Sequence, residues 1–223
     1  MQRVLGVRRV PMEIAFAIIL LVSFWLPRFY LSHKIPLDAS LFAPASLLNL
    51  VLFDLVVLGY FMLPWLVLSL AWPSSRKKNY SIFLVYIAFA IFLAFFTSIS
   101  EFFFIDEFLS RYNFIAIDYL VYTSEVLRNI WESFPIVPII AVLISLCATL
   151  AWSLTRLRER LSNPLKIVLL LLYACLFVFV NEDRQLNAAD ESQKEFSKNG
   201  FHALFAAFRN NQIDFERFST TLQ

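Results

Sequence analysis

The sequence predicts an all-α integral membrane protein: a bundle of five transmembrane helices, an amphipathic helical segment on its outer face, and a helical tail next to the membrane. Of the 223 residues, 60% are hydrophobic and only 16% are charged, which is not the composition of a soluble domain. The apolar residues also form long runs, and about 20 of them in a helix cross a hydrocarbon core of about 30 Å. The runs are Pro11 to Tyr30, Ala45 to Trp72, Tyr80 to Phe104, Phe134 to Leu154 and Leu165 to Val180.

Each run is predicted to be a helix because backbone groups in lipid must form hydrogen bonds within their own segment. Four runs are long enough to cross the membrane. The fifth is marginal, but Leu161 and Asn181 extend it towards the two interfaces. The first run is too long for the apolar core of a cleaved signal peptide, and the nearest small-x-small site lies at residues 43–45. We therefore interpret it as a signal anchor.

Basic residues are dense in alternate connections, and this density predicts the orientation. Positive charges near transmembrane helices favour the cytoplasm, so the N-terminus is expected inside and the C-terminus outside. The dense segments carry Arg3, Arg8 and Arg9, then Arg76, Lys77 and Lys78, then Arg156, Arg158, Arg160 and Lys166. The sparse segments carry Arg28 and Lys34, then Arg111 and Arg128.

Two acidic residues, Glu13 and Asp54, lie within the apolar runs. A charge in the membrane is expensive and therefore suggests a function. Both residues also lie within about three turns of a helix end, where a carboxylate could face a neighbouring helix or reach the interface. Two acids without an intramembrane Lys or Arg make a poor proton relay, which disfavours a transporter.

The third connection, residues 105–133, is long and far from polar. As a helix from Phe114 it has one mostly acidic stripe and an apolar opposite side, the pattern of a helix at the membrane surface. Anionic lipid repels an acidic stripe, which favours a protein, a metal or a polar headgroup as its neighbour, although a solvated face on a packing helix is an equal alternative. The stripe comprises Asp118, Tyr122, Glu125, Asn129 and Glu132, with Arg111 in register.

The tail, residues 182–223, shows two helical patterns. Its polar first half could be a helix that ends at Asn199-Gly200. The following residues, FHALFAAFRNN, place Phe201, Leu204, Phe205 and Phe208 at i, i+3, i+4 and i+7. This spacing predicts a short amphipathic helix that ends at Asn210-Asn211 and lies on the outer leaflet. His202 is expected to be an interface residue rather than a ligand.

Two stretches are distinctive: SISEFFFIDEFLSRYNFIAIDYLVYTSEVLRNIWESFP, residues 98–135, and NGFHALFAAFRNNQIDFERF, residues 199–218. Both resemble the lipoteichoic acid synthase family, whose members are membrane-anchored transferases of the alkaline phosphatase (sulfatase-like) superfamily. The resemblance implies a five-helix membrane domain, residues 1–181, and a juxtamembrane linker, residues 182–223, leading to an extracytoplasmic catalytic domain. That domain would use a divalent metal, such as Mn or Mg, and a Thr or Ser nucleophile to transfer phosphoglycerol, or a related phospho-alcohol, from a phospholipid.

The resemblance transfers no catalytic residue and no cofactor to these 223 residues. Thr220 and Thr221 lack surrounding metal ligands, so this chain alone is expected to be inactive. It would instead anchor a transferase in the bacterial cytoplasmic (inner) membrane and present the lipid donor to a catalytic domain supplied in cis or in trans. Arg111 is the natural partner for a lipid phosphate, because a guanidinium can bind two phosphate oxygens. The candidates for headgroup binding or domain docking are Glu101, Asp106, Glu107, Arg111, Asn113, Asp118 and Glu125.

Two other classes of function remain open. A stand-alone membrane interaction protein could use the same stripe and tail to bind a separate extracytoplasmic partner. A small transporter would need a continuous polar path, for which the apolar runs offer only Glu13 and Asp54. The net charge of +2 is too small to indicate a nucleic-acid partner.

Overall fold

The fold is all-helical throughout the part of the chain that the structure, a computed structural model, describes. The described residues are 10–35, 44–71, 77–121, 134–157, 159–180 and 195–210, together with 128, 131 and 132. Within them there is no strand, which confirms the all-α prediction. The helices are α1 (Met12–Lys34), α2 (Pro44–Ala71), α3 (Lys77–Phe108), α4 (Phe114–Val121), α5 (Ile136–Thr155), α6 (Asn163–Phe179) and α7 (Gly200–Asn210).

Four of these helices are long and apolar enough to cross a membrane. They are α1, α5, and the segments Ser46–Ala71 of α2 and Ser81–Phe108 of α3. Their length and composition support the prediction of a membrane protein. The fifth predicted span corresponds to α6, an apolar helix of 17 residues, which is shorter than the about 20 residues of a typical span.

The bundle is arranged around α1. Helices α2 and α3 pack against α1, α5 packs on α3 and α1, and α6 packs on α2. The α2–α6 contact needs a residue without a side chain, because a Cβ atom at Gly59 would lie 2.9 Å from the ring of Tyr173. Much of α5 and α6 is exposed, as expected for helices that face lipid.

Aromatic rings fill the interior of the bundle. Trp65 of α2 is the centre of one cluster: its ring centroid lies 6.2 Å from Phe16, 5.0 Å from Phe83 and 6.0 Å from Tyr86. The hydroxyl of Tyr86 donates a 2.6 Å hydrogen bond to the carbonyl of Phe61 and so ties α3 to α2. Large rings therefore pack the interior together with aliphatic side chains such as Leu20, Ile87 and Ile91.

One end of the bundle, which we call the tail end, is the end that α4 and α7 contact. Here α3 stops at Leu109, whose φ of 50° is a left-handed conformation that usually falls to glycine. The reversal at Leu109 leads the chain into residues 110–113 and then α4. Asn113 caps α4, since its Oδ1 accepts a 2.9 Å hydrogen bond from the amide of Ile115.

At the opposite end, Glu13 joins the start of α1 to the start of α6. Its carboxylate accepts a 3.1 Å hydrogen bond from the amide of Leu161 and forms a 3.4 Å ion pair with Lys166. The amide of Met12 also donates to the carbonyl of Glu159 at 3.1 Å. The expectation that Glu13 lacks a basic partner was wrong, because Lys166, in the first turn of α6, reaches back to it. The alternative that this carboxylate faces a neighbouring helix is confirmed.

Candidate functional site

A buried ion pair between α1 and α2 lies at the centre of the tail end. Arg28 donates from Nη1 and Nη2 to the two carboxylate oxygens of Asp54, at 2.8 and 3.0 Å. The side chains are 1% and 4% exposed. The expectation that Asp54 has no basic partner in the membrane was therefore wrong, because α1 continues past Arg28 to Lys34 and carries the guanidinium into the bundle.

The remaining donors of Arg28 bind the tail. Its Nε donates to the carbonyl of Phe196 at 3.0 Å, and its Nη2 donates to the carbonyl of Lys198 at 3.1 Å. Arg111, from the turn after α3, donates to the same Lys198 carbonyl at 2.7 Å. Two arginines that are 83 positions apart in sequence thus meet on one tail carbonyl.

Asn199 connects the ion pair to α7. Its Nδ2 donates to Asp54 at 2.8 Å, while its Oδ1 accepts a 3.0 Å hydrogen bond from the amide of Phe201. Asn199 is therefore the N-cap of α7. The predicted helix that ends at Asn199-Gly200 lies mostly outside the described residues. Residues 195–197 are helical, and the cap at Asn199 belongs to the helix that follows.

Glu101 of α3 completes the site. Its carboxylate lies 3.5 Å from Nε of Arg111, and both side chains are buried. Gly200 lies directly against this carboxylate, because a Cβ atom at position 200 would overlap it. The side chain of Glu195 accepts a 2.6 Å hydrogen bond from the amide of Arg111 and pairs with Lys198.

We call this constellation the tail latch; it consists of Arg28, Asp54, Glu101, Arg111, Asn199 and the carbonyls of Phe196 and Lys198. At about 1.5 Å per residue, Arg28 lies about 9 Å inside the end of α1 and Glu101 about 10 Å inside the end of α3. The tail therefore enters the bundle rather than lying on its surface. Buried charges are tolerated only when they are paired and hydrogen-bonded, and with Glu195 and Lys198 the site has three cations and three anions.

Some polar atoms of the latch have no hydrogen-bond partner among the described residues. They are Nε and Nη2 of Arg111 and one carboxylate oxygen of Glu101. Burial lowers the pKa of Arg111, and the Glu101 carboxylate opposes this effect. An adjoining cavity, lined by Thr97, Ser98, Glu101 and Asn199 among others, measures about 10 Å³. One water molecule needs about this space, so a lipid headgroup does not fit there.

The predicted site residues divide into buried and exposed groups. Glu101 and Arg111 are buried in the latch, and Asn113 is the cap of α4. Asp106 is exposed and accepts hydrogen bonds from Lys34 at 2.8 Å and Tyr30 at 2.5 Å. Glu107 and Asp118 are exposed, and Glu125 lies outside the described residues. Because Arg111 binds the carbonyl of Lys198 in the tail, a phosphate could reach its guanidinium only after the tail moves.

Helix α7 itself confirms the predicted amphipathic helix over residues 200–210. Its inner face contacts α2, α3 and α4. His202 is buried against the ring of Phe53, with 4.9 Å between ring centroids, and its Nδ1 has no hydrogen-bond partner in the described structure. Burial lowers the pKa of His202 from 6.5 to about 4. His202 is thus a neutral packing residue, consistent with its interpretation as an interface residue.

Sequence reasoning missed the latch residues Arg28 and Asn199. The sequence did contain a signal for Arg28. Arg28 lies near the end of the first apolar run, and Asp54 lies in the early part of the second. If the two runs form antiparallel helices, these residues are at the same end of the pair. Asn199 carried no comparable signal, since its partner Asp54 is 145 positions away.

Comparison with protein-family models, curated proteins and solved structures found no match. Among the described residues there is also no group of three or more His, Cys, Asp or Glu that could hold a metal ion. We therefore assign no metal ligand and no cofactor-binding residue in this part of the chain.

Proposed function

We propose that this chain is the membrane domain of a lipoteichoic-acid-synthase-like transferase, which anchors an extracytoplasmic catalytic domain and presents a phospholipid donor to it. The observation that carries the proposal is the tail latch. It fixes residues 195–200 inside the tail end of the bundle through Arg28 and Arg111. A linker held in this way would fix the position, relative to the membrane, of a domain attached to it. The resemblance of residues 98–135 and 199–218 to the family supplies the chemistry.

The proposal includes five transmembrane helices, with α6 as the fifth. Support comes from both ends of α6: Lys166 lies beside Glu13 at the opposite end of the bundle. Val180, just after α6, packs with Phe53 and Val56 near the tail end. Helix α6 thus runs between the same two levels as its neighbours, and its 17 residues cover about 25 Å.

The orientation in the proposal places the N-terminus in the cytoplasm and the tail end outside, in a bacterial inner membrane. The sequence distribution of Lys and Arg supports it, because the segments dense in these residues adjoin the starts of α1, α3 and α6, and those starts lie at the end opposite the tail. In this orientation the latch lies in the outer leaflet. A donor lipid of that leaflet and a catalytic domain, joined in cis or bound in trans, would then meet at the same end of the bundle.

A stand-alone interaction protein is the second candidate. It is supported by the exposed carboxylates of Glu107 and Asp118 at the tail end, which a basic partner could bind. The structure gives a further reason, besides the sequence, to disfavour a transporter. Each of its two candidate acids, Glu13 and Asp54, is paired with a basic side chain, so neither offers a free carboxylate along a path through the described helices.

The test combines the mass of the native protein with a transfer assay. An antibody against residues 181–223 would be applied to native membranes, and the captured protein would be incubated with phosphatidylglycerol labelled in its headgroup. We expect either a band tens of kilodaltons above the 26.0 kDa of this chain or a separate catalytic domain that co-purifies with it. In both cases the captured sample should transfer labelled phosphoglycerol. If the captured sample does not transfer labelled phosphoglycerol but contains a different bound protein, the result would support the stand-alone interaction protein, whatever the mass of the band.

Variants connect the activity to the latch. We expect Asp54→Asn to lower transfer at least tenfold in the captured sample. Glu159→Gln is the matched control, because it makes the same carboxylate-to-amide change at an exposed residue that belongs neither to the latch nor to the docking candidates. Equal transfer by the wild type and both variants would show that the latch does not position the enzyme.

A further inference from the structure

One exposed arginine at the end of the bundle opposite the tail has no carboxylate partner among the described residues. This residue, Arg156, is the C-cap of α5, and it does not pair even with Glu159, three positions later. Other basic side chains of the described structure do form ion pairs with carboxylates; they are Arg28, Lys34, Arg111, Arg128, Lys166 and Lys198. The charge of Arg156 is therefore available to an anionic partner outside this part of the chain.

Arg156 is held against the face of an aromatic ring. Its Cζ lies 3.6 Å from the centroid of the Trp152 ring, one helical turn earlier. This is a cation–π contact, in which the positive guanidinium lies over the negative face of the indole. The N–H donors of a guanidinium lie in its own plane, so stacking leaves them able to bind oxygen atoms. Trp152 thus restrains Arg156 without using its hydrogen-bond donors.

The Arg156–Trp152 pair lies at the level of a membrane interface. Helix α5 has 20 residues, which at about 1.5 Å each cover about 30 Å, the thickness of a hydrocarbon core. Arg156 directly follows the last residue of this helix, and Trp152 lies about 5 Å before its end. Trp is enriched at this level of membrane proteins. Both side chains are exposed, so lipid headgroups can reach them.

The surface of α5 below this pair can accommodate an acyl chain. Ser145 and Thr149 are exposed, and with Trp152 and Arg156 they follow the spacing i, i+4, i+7 and i+11, which is one stripe of a helix. Their hydroxyls donate 2.8 Å hydrogen bonds to the carbonyls of Ala141 and Ser145, respectively. Because these donors are satisfied within the helix, small side chains without free donors face the hydrocarbon.

We propose that Arg156 and Trp152 bind the phosphate of an anionic glycerophospholipid from the leaflet at the end opposite the tail, with one acyl chain along the stripe of Ser145 and Thr149. A guanidinium can bind two phosphate oxygens at once. Residues 156–160 include three arginines and one glutamate, and this excess of positive charge favours an anionic headgroup over one that carries an ammonium group. The bound lipid is a structural lipid rather than a donor, so the inference is independent of the proposed function.

The test uses the full chain in nanodiscs that contain phosphatidylglycerol with a photoactivatable diazirine in its headgroup. Cross-linked peptides would be mapped by mass spectrometry, and we expect labels within residues 149–157. Arg156→Gln should lower this labelling about fivefold, because one basic residue near an anionic surface contributes about this factor. Arg128→Gln is the matched control, since it makes the same change at an exposed arginine that pairs with Glu132, and it should leave the labelling unchanged.

A second variant tests the role of the aromatic ring. Trp152→Leu keeps an apolar side chain but removes the cation–π contact, so it should lower labelling by phosphatidylglycerol although Arg156 is retained. Phosphatidylcholine with the same probe should label residues 149–157 less than phosphatidylglycerol does, and Arg156→Gln should not change that weaker labelling. Both replaced side chains are exposed, so both variants should unfold at the wild-type temperature; if Trp152→Leu does not, Arg156→Gln decides alone.

Three results would overturn the inference. The first is labelling of residues 149–157 that Arg156→Gln leaves unchanged, and the second is equal labelling by phosphatidylglycerol and phosphatidylcholine. The third is loss of labelling when excess inorganic phosphate is added, which would mean that Arg156 binds a free anion rather than a lipid. Transfer activity is not needed for any of these measurements, so their outcome does not depend on whether the chain serves a transferase.

Discussion

Replacement of Asp54 by Asn removes one charge from the centre of the tail latch and nearly preserves its shape. In the wild type, Asp54 accepts two hydrogen bonds from Arg28 and one from Asn199, at 2.8 to 3.0 Å. In the variant, the Arg28 guanidinium stays buried with only neutral acceptors, which are the amide oxygen at position 54 and the carbonyls of Phe196 and Lys198. An uncompensated buried charge favours the state in which water reaches it, which is the state with the tail undocked.

The size of the effect follows from the burial of the pair. Its side chains are 1% and 4% exposed, and removal of one partner from a buried ion pair costs about 3–5 kcal/mol. Since about 1.4 kcal/mol corresponds to a factor of ten, docking should weaken roughly 140- to 3,700-fold. The Lys34–Asp106 pair is exposed and screened by solvent, so Asp106→Asn should change docking less than about fivefold.

Hydrogen exchange in nanodiscs measures this quantity, because the amides of α7 exchange when the tail opens. We expect Asp54→Asn to accelerate exchange of residues 203–206 by the factor above, or up to the rate of an unprotected peptide, with α1 and α3 unchanged. Exchange within threefold of the wild type would refute the reasoning, since it would mean that the ion pair does not hold the tail.

Three further predictions concern single residues. Gly200→Ala should weaken tail docking by about 1–3 kcal/mol in the same exchange experiment, because its Cβ would overlap the buried Glu101 carboxylate; unchanged exchange would contradict this close packing. Burial lowers the His202 pKa from 6.5 to about 4, so between these pH values the undocked tail binds a proton that the docked tail does not. The contribution of neutral His202 to docking is therefore fully present above pH 6.5, and docking weakens by up to about 3 kcal/mol as the pH falls to 4. Cross-linking of α7 to α2 should therefore decrease at pH 5, whereas His202→Phe should retain more of it. Lys166→Met should cost about 3–5 kcal/mol in thermal unfolding because it leaves Glu13 unpaired, yet it should leave exchange of the distant tail unchanged.

The transmembrane helices were predictable because the requirement for internal hydrogen bonding in lipid acts on each segment separately. The predicted run Ala45 to Trp72 differs by one residue at each end from the observed helix α2 (Pro44–Ala71). Helices α1 and α3 extend four residues past the predicted runs, to Lys34 and Phe108. Hydropathy falls at charged residues in both extensions, but Lys34 of one extension pairs with Asp106 of the other, so the helices continue.

The latch was not predictable in the same way, because its contacts depend on how the segments meet. Arg28 and the carbonyl of Phe196 are 168 positions apart. Every residue has a backbone carbonyl, so the sequence does not indicate which one accepts a hydrogen bond. Glu101 and Arg111 were identified as candidates from the polar pattern of their segment. What the pattern could not show is that both turn inwards to hold the tail, while Asp106 and Glu107 remain exposed.

The most direct test of the account is whether α7 lies against α2 in the native membrane. The photoreactive residue p-benzoylphenylalanine would replace Phe205, which is 52% exposed and whose ring centroid lies 6.2 Å from that of Tyr60. The account predicts an intramolecular cross-link to α2 around Tyr60 in the wild-type background and its loss in Asp54→Asn. No cross-link to α2 or α3 in the wild-type background would contradict the docked tail, and with it the proposed positioning of a catalytic domain.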